Sequence, residues 1–176
     1  MELRGKRVII LAEEMYNEHE LWYPYYRLKE AGVDVKLVGS GSSQTYKAKS
    51  GLEVSVDTSA DHVSAANYDG IVIPGGYAPD RMRRSPSMVK LVKDFFEAGK
   101  VVAAICHAGW MLASAEIITG KTVTCFFAIK DDLIHAGANY VDQEVVVDGN
   151  LITSRQPDDL PAFMRAVIAG LRGSSA

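Results

Sequence analysis

Short runs of consecutive apolar residues constrain the fold of this chain most strongly. Three of them, Val8–Ala12, Ile71–Ile73 and Val101–Ile105, show no alternation with polar residues. Such runs are typical of parallel strands that are covered on both faces. Amphipathic helical patterns follow them, one with Ser85-Pro86 as its start and another from Leu160 onward. This alternation predicts an α/β sandwich with a mainly parallel central sheet.

Turn and breaker residues divide the rest of the chain. A helix is predicted to end at Ala31-Gly32, and Pro24 fits only in its first turn or at a kink. The Ser- and Gly-rich stretch 39–58 is predicted to form a small hairpin. Asp148–Asn150 is the turn of a second hairpin, and residues 173–176 are predicted to form a frayed end.

Composition excludes several classes of protein. The 176 residues match one domain, predicted to span 1–176, and the net charge of −3 provides no basic stripe for duplex nucleic acid. The run Val8–Ala12 is too short for a membrane span or a signal-peptide core. Two cysteines are too few for a disulfide scaffold. We therefore expect a cytoplasmic protein that acts on small molecules, with no membrane contact and no need of nucleic acid.

Cys106 is the first candidate for chemistry. It follows the apolar run that ends at Ile105 and precedes a predicted helix, with the small residues Ala104, Ala108 and Gly109 around it. A nucleophile on a tight strand-to-helix turn needs small neighbours. The start of a helix also favours the thiolate and lowers the thiol pKa. A buried structural cysteine is the alternative, but the strand–turn–helix setting favours a reactive thiol.

Two further strand ends point to the same edge of the sheet, where ligands bind in such folds. Gly75 and Gly76 follow one strand, and glycines let the backbone approach a ligand and present an N–H group. With the N–H of His107, this loop forms a candidate oxyanion site, although an ordinary turn is the alternative. The acidic stretch Glu13–Glu20 follows the first strand. One of its carboxyls can assist the thiol only if burial keeps it protonated.

Other residues provide weaker signals. Tyr16 is the aromatic residue expected opposite the pocket mouth, and Arg155 is either a structural salt-bridge former or an anchor for a substrate carboxylate. Cys125 is predicted to be a core or pocket-wall thiol. His19 lies among glutamates, but one histidine with scattered carboxylates does not make a zinc site, so no metal is assigned.

At this point the chain resembles the DJ-1/PfpI superfamily, on the branch of PfpI-like intracellular proteases and general stress proteins. The matching stretches are Glu18–Gly32, Val72–Asp80, Ala104–His107, Lys130–Asp132 with Ala136-Gly137, and Glu144–Asn150 leading to Thr153–Arg155. The resemblance implies a flavodoxin-like three-layer sandwich, related to that of class I glutamine amidotransferases. It also implies a homodimer or larger assembly with the active site near the interface, and no cofactor.

The resemblance also assigns roles to particular residues. Cys106 matches the nucleophile, and Glu20 matches the glutamate that hydrogen-bonds the thiol. Gly76 and His107 match the oxyanion donors. His107 also matches a histidine that a carboxylate orients, within the chain or across a subunit contact; Asp80 stands at that position, where Glu is usual.

Two positions depart from the family pattern. Trp110 stands in a segment that reads Ala-Gly-Trp where Gly-Pro is common, and we expect it to narrow the pocket. Phe126 occupies the position of a histidine in the DJ-1 branch, so it supplies no base. The predicted pocket candidates are therefore Tyr16, Gly75, Trp110, Phe126 and Arg155.

The adjacency of Cys106 and His107 makes a geometric prediction. Successive side chains normally diverge, so the two can meet only if the backbone at Cys106 is strained, with a positive φ. A relaxed Cys106 with its sulfur far from both Glu20 and His107 would contradict the catalytic hypothesis.

Two classes of function follow. In the first, Cys106 attacks small carbonyl compounds or acyl groups, as a glyoxalase or deglycase or as an intracellular peptidase. In the second, the protein is a redox-sensing or chaperone-like stress protein whose Cys106 is oxidised without rapid turnover. A glutamine amidotransferase needs a downstream His-x-Glu pair, and after residue 107 only His135 remains, so that activity is set aside.

Overall fold

The computed structural model describes residues 2–173 and contains alternating strands and helices. In chain order they are β1 (Arg7–Leu11), α1 (Glu18–Ala31), β2 (Asp34–Gly39), β3 (Thr45–Lys47), β4 (Glu53–Ser55), β5 (Thr58–Ser59), β6 (Gly70–Ile73), α2 (Ala78–Met82), α3 (Pro86–Glu97), β7 (Val101–Ile105), α4 (Gly109–Ser114), β8 (Thr122–Val123), α5 (Lys130–His135), β9 (Asn139–Tyr140), β10 (Val145–Asp148), β11 (Leu151–Ser154) and α6 (Leu160–Gly173).

The central sheet has seven strands in the order β10-β11-β7-β6-β1-β2-β5. All neighbouring pairs are parallel except β10 and β11, which form the second predicted hairpin. Helix α1 packs against α6, and α3 packs against α4 and the central strands. The fold is therefore the predicted flavodoxin-like sandwich, with helices flanking a mainly parallel sheet.

The three apolar runs form the centre of this sheet. Strands β6 and β7 are buried along their whole length, and β1 is buried from its second residue. Because β1, β6 and β7 are neighbours and parallel, their carboxyl ends meet at one edge. The residues that follow them, Glu13, Pro74 and Cys106, lie at that edge.

The local signals at helix ends also act as predicted. The hydroxyl of Ser85 accepts the Met88 N–H and caps α3. Gly32 ends α1 with φ 93°, a conformation that glycine adopts without a Cβ clash. Strands β3 and β4 pair antiparallel and form the first predicted hairpin.

Some features differ from the predictions. Pro24 is buried inside α1, about two turns after the Asn17 cap, so it does not occupy the first turn, one of the two places predicted for it. Strand β8 lies within a short strand predicted at Lys121–Thr124, whereas helix α2, strand β5 and strand β9 were not predicted. Gly173 ends α6, and the rest of the predicted frayed end lies outside the described residues. Between residues 2 and 173, no helix has the length and apolarity needed to cross a membrane.

Candidate active site

Cys106 lies on the predicted strained turn. It follows the last residue of β7 and begins a single turn of 3₁₀ helix that leads into α4. Its φ is 62°, in the left-handed region that disfavours residues with a Cβ. The predicted positive φ is confirmed. The residue is 7% exposed, and it lines a pocket described below.

The turn brings the side chains of Cys106 and His107 together. The sulfur of Cys106 lies 3.2 Å from Nδ1 of His107. The imidazole stacks on Phe126, with ring centroids 4.9 Å apart, and meets the edge of Trp110 at 5.2 Å. Burial lowers the pKa of His107 and favours the neutral ring, in which Nδ1 accepts a proton when Nε2 carries the ring hydrogen.

Glu20 reaches the site from the first turn of α1. Asn17 positions that turn, because its side-chain oxygen accepts the N–H groups of His19 and Glu20 at 3.0 and 3.3 Å. Glu20 itself is fully buried, and its Oε2 accepts the Gly75 N–H at 2.7 Å. Its Oε1 has no hydrogen-bond partner within the described residues. Burial raises the pKa of Glu20 to about 7, as the hypothesis of a protonated carboxyl requires.

The ionisation of Cys106 differs from the expectation. Burial raises the pKa of the Cys106 thiol, and the nearby Glu20 carboxylate raises it further, while the N–H groups of His107 and Gly76 act in the opposite direction. The helix start that was expected to favour the thiolate is short, since one 3₁₀ turn and a six-residue α4 follow the sulfur. In the resting site the thiol therefore keeps its proton until a base takes it.

The glycine loop is tightly packed against the sulfur. A Cβ on Gly75 would lie 2.6 Å from Oε2 of Glu20 and 2.8 Å from Cβ of Cys106, so no larger residue fits there. Gly76 has φ 76°, and its strand-like bridge to Tyr16 holds the loop in place. The N–H groups of Gly76 and His107 both donate towards the Cys106 sulfur. This is the arrangement that an oxyanion site needs.

A pocket of about 680 Å³ opens above the sulfur. Of the predicted site residues, its lining includes Tyr16, Gly76, Cys106, His107 and Phe126. The lining also includes residues that sequence reasoning missed, among them Glu18, Lys49, Ser50, Tyr77 and Pro157. The only local signal for Lys49 and Ser50 was their place in the predicted hairpin.

Three predicted pocket residues do not line this cavity. Gly75 lies behind it, against Glu20. Trp110 packs beside His107 and donates its Nε1–H to Asp132 at 2.7 Å, so it supports the ring and does not narrow the pocket. Arg155 is a salt-bridge former, because its guanidinium pairs with Asp159 at 2.8 Å and with Asp142 at 2.7 Å.

Asp80 has a different partner within the chain. Its Oδ2 accepts a hydrogen bond at 2.5 Å from the guanidinium of Arg84, four residues later in the chain. Within the described residues, no hydrogen bond joins Asp80 to His107. Cys125 is 1% exposed and belongs to the core, one of the two roles predicted for it. Within residues 2–173, no three His, Cys, Asp or Glu side chains are grouped so that they could hold a metal ion.

Comparison with known sequences identifies the family. Residues 6–170 match the sequence profile of the DJ-1/PfpI family. The chain belongs to this family. A deglycase from Pyrococcus abyssi is 44% identical to it over 94% of this chain and 99% of the relative. General stress protein 18 and the putative cysteine protease YraA, both from Bacillus subtilis, are each 38% identical, over 94% and 92% of this chain and 97% and 95% of their own lengths.

The fold comparison agrees with the family. A crystal structure of a two-domain protein from Anabaena variabilis, with DJ-1/ThiJ/PfpI-like and ferritin-like domains, matches with a TM-score of 0.93 and 42% identity. The match covers 98% of this chain and 50% of that protein. The names of these relatives support an enzyme of the DJ-1/PfpI type.

Proposed function

We propose that this protein uses Cys106 as a covalent nucleophile on small carbonyl compounds, in a glyoxalase or deglycase reaction. The observation that carries the proposal is the position of the Cys106 sulfur, at the base of a pocket and 3.2 Å from a neutral His107 Nδ1. The relative from Pyrococcus abyssi that is named a deglycase supports the substrate class.

The first step is addition to an aldehyde carbon. The thiol proton passes to Nδ1 of His107 as the sulfur–carbon bond forms, and the carbonyl electron pair moves to oxygen. The N–H groups of Gly76 and His107 stabilise this oxyanion, which then takes a proton to give a hemithioacetal.

With methylglyoxal, the next steps move hydrogen between two carbons. The hydrogen of the former aldehyde carbon leaves as a proton, and a proton returns to the neighbouring carbon, which leaves a thioester on Cys106. Water then hydrolyses the thioester to lactate and the free thiol. Two groups near the sulfur can move these protons, His107 and Glu20. The pKa of Glu20 is about 7, which suits a carboxyl that both accepts and donates a proton.

Peptide hydrolysis is the second candidate, favoured by the relative named a putative cysteine protease. It would use the same nucleophile and the same oxyanion donors. A peptide needs an extended groove, however, and the cavity that contains Cys106 has a volume of about 680 Å³, which an oligomer would have to extend. The homo-oligomeric state and the cytoplasmic location stay predictions.

The sensor hypothesis receives less support. Oxidation to sulfenic acid needs a thiolate, and burial raises the pKa of the Cys106 thiol. The same burial opposes catalysis, but there a relative named a deglycase supports the reaction. We therefore retain the sensor hypothesis as the interpretation that applies if neither catalytic activity is found.

Consumption of methylglyoxal, measured beside cleavage of a fluorogenic peptide, tests the proposal. Wild type should consume methylglyoxal, Cys106→Ser should lose the activity, and Cys125→Ala should keep it because Cys125 lies in the core. Peptide cleavage without methylglyoxal consumption would favour the peptidase, and neither activity would favour the sensor.

A further inference from the structure

The tip of the first hairpin is fixed against the catalytic loops. Tyr16 pairs with Gly76 on one side and with Ala48 on the other, so the chain after β3 lies beside the oxyanion loop. The Met15 N–H donates to the Lys47 carbonyl at 2.7 Å and strengthens this contact. The residues that follow Ala48 are thereby placed at the pocket.

A tight turn then presents Lys49 and Ser50. The Ala48 N–H donates to the Leu52 carbonyl, and the Gly51 N–H donates back to Ala48, both at 2.9 Å. Gly51 has φ 91°, which suits glycine in such a turn. The turn holds its backbone without help from the Lys49 side chain, which lines the pocket that contains Cys106.

Lys49 is the positively charged side chain in the lining of this pocket. Among the described residues that line the cavity it is the only Lys or Arg, and no hydrogen bond or ion pair within 2–173 engages its ammonium group. Lys47, on the same hairpin, pairs instead with Glu53 at 3.2 Å. His107 adds no positive charge at neutral pH, because burial lowers its pKa.

Glu18 is the acidic residue in the same lining. The Ser50 hydroxyl hydrogen-bonds its carboxylate and lowers the pKa of Glu18, so it stays ionised. No ion pair within 4.0 Å joins Glu18 and Lys49 among the described residues, so the ammonium group keeps its donors for a substrate.

We propose that Lys49 binds a carboxylate on the substrate, and that the protein acts on small carbonyl compounds that carry one, such as 2-oxo acids with an aldehyde group. This inference rests on the proposed function, since Cys106 would add to the carbonyl carbon beside the bound carboxylate. Addition forms one sulfur–carbon bond, moves the carbonyl pair to oxygen and transfers one proton to it. The negative charge of Glu18 repels a substrate carboxylate and therefore reduces the preference for acidic over neutral substrates.

The charge selectivity of Cys106 alkylation tests Lys49 without using turnover. Iodoacetate is an anion and iodoacetamide is its neutral analogue, and each forms a thioether with loss of iodide. The ratio of their rates at Cys106, followed by peptide mass spectrometry, cancels any change in thiol pKa. Lys49→Met should lower the ratio of iodoacetate to iodoacetamide about three- to fivefold, the effect of one partly exposed charge pair.

Matched variants separate a local effect from net charge. Lys47→Met removes the same charge from the same hairpin and should leave the ratio unchanged. Lys49→Arg should retain the wild-type ratio, and Glu18→Gln should raise it. Equal ratios for Lys49→Met and Lys47→Met would overturn the proposal.

Inhibition of methylglyoxal consumption gives a second readout. Glyoxylate, an aldehyde with a carboxylate, should inhibit more strongly than neutral glycolaldehyde, and Lys49→Met should remove most of that difference. Equal inhibition of wild type by the two compounds would contradict a carboxylate site. If wild type fails to consume methylglyoxal, the proposed function fails, and the alkylation ratio still decides the role of Lys49.

Discussion

At the scale of the residue, the backbone of Cys106 is strained. Its φ of 62° turns the sulfur towards His107, and a Cβ in this region costs on the order of 1 kcal/mol. The strain persists because the neighbouring strands hold β7 and the glycine loop packs on the turn.

A pair of variants measures this strain. Cys106→Gly and Cys106→Ala both remove the thiol, but only glycine adopts positive φ freely. We expect the glycine variant to be about 1 kcal/mol more stable in urea unfolding. An alanine variant of equal or greater stability would show that the turn relaxes.

Burial of Glu20 predicts a pH-dependent stability. Its pKa rises from 4.5 to about 7 on folding, so the stability that the protonated carboxyl provides is complete below about pH 4.5 and is lost as the pH rises to about 7. Glu20→Gln lacks this titration, so its stability relative to wild type should increase over that range by roughly 3 kcal/mol.

Urea unfolding as a function of pH checks this expectation. Glu30→Gln, on the exposed face of the same helix, serves as the control and should run parallel to wild type. If the free energies of unfolding of Glu20→Gln and wild type differ by the same amount at every pH, folding does not raise the pKa of Glu20 and this expectation is wrong.

At the scale of the element, local sequence signals determined what could be predicted. Strand β7 and the start of α3 match their predicted bounds, because an apolar run and a Ser-Pro cap act locally. Strand β5 has two residues, and its pairing with β2 depends on the whole sheet. The pairing of β8 with β9, which lie on either side of α5 in the chain, likewise depends on contacts that no local pattern shows.

The site likewise contains residues that the sequence could identify and one that it could not. Cys106, Gly76 and Glu20 follow strands or begin a helix, so the sequence and the family resemblance could identify them. Lys49 enters the pocket only because Tyr16 bridges its hairpin to the glycine loop, a long-range pairing that no local pattern shows.

The glycine loop predicts a sharp loss of activity on substitution. Gly75→Ala would place a Cβ 2.6 Å from Oε2 of Glu20 and displace either the carboxyl or Cys106. We expect methylglyoxal turnover to fall at least about tenfold. Gly173→Ala, where the added Cβ meets no atom within 4 Å, should keep full activity. Comparable turnover in the two variants would contradict the packing argument.

At the scale of the whole molecule, no carboxylate within residues 2–173 hydrogen-bonds the ring of His107, whose hydrogen-bond partner is the Cys106 sulfur. Asp80 pairs with Arg84. Tyr77, whose ring centroid lies 6.3 Å from that of the imidazole, is 56% exposed, and Phe127, which packs on Phe126, is 67% exposed. Exposed aromatic residues of this size favour a contact with another subunit. The orientation of His107 by Asp80 across such a contact stays a prediction.

Subunit mixing tests that prediction. Asp80→Asn and Cys106→Ser should each have little activity alone. If Asp80 acts across a contact, co-refolded chains should regain activity, because the intact Cys106 of one chain meets the intact Asp80 of another. No recovery, with mixed oligomers confirmed by mass, would restrict Asp80 to its own chain or remove it from the site.

Covalent catalysis at Cys106 is tested by the mass of the protein during a single turnover with methylglyoxal. Rapid quenching and peptide mass spectrometry should find one methylglyoxal mass added at Cys106, absent before mixing, lost as lactate appears, and never found in Cys106→Ser. Turnover at the wild-type rate with Cys106 unmodified throughout would contradict covalent catalysis at this sulfur.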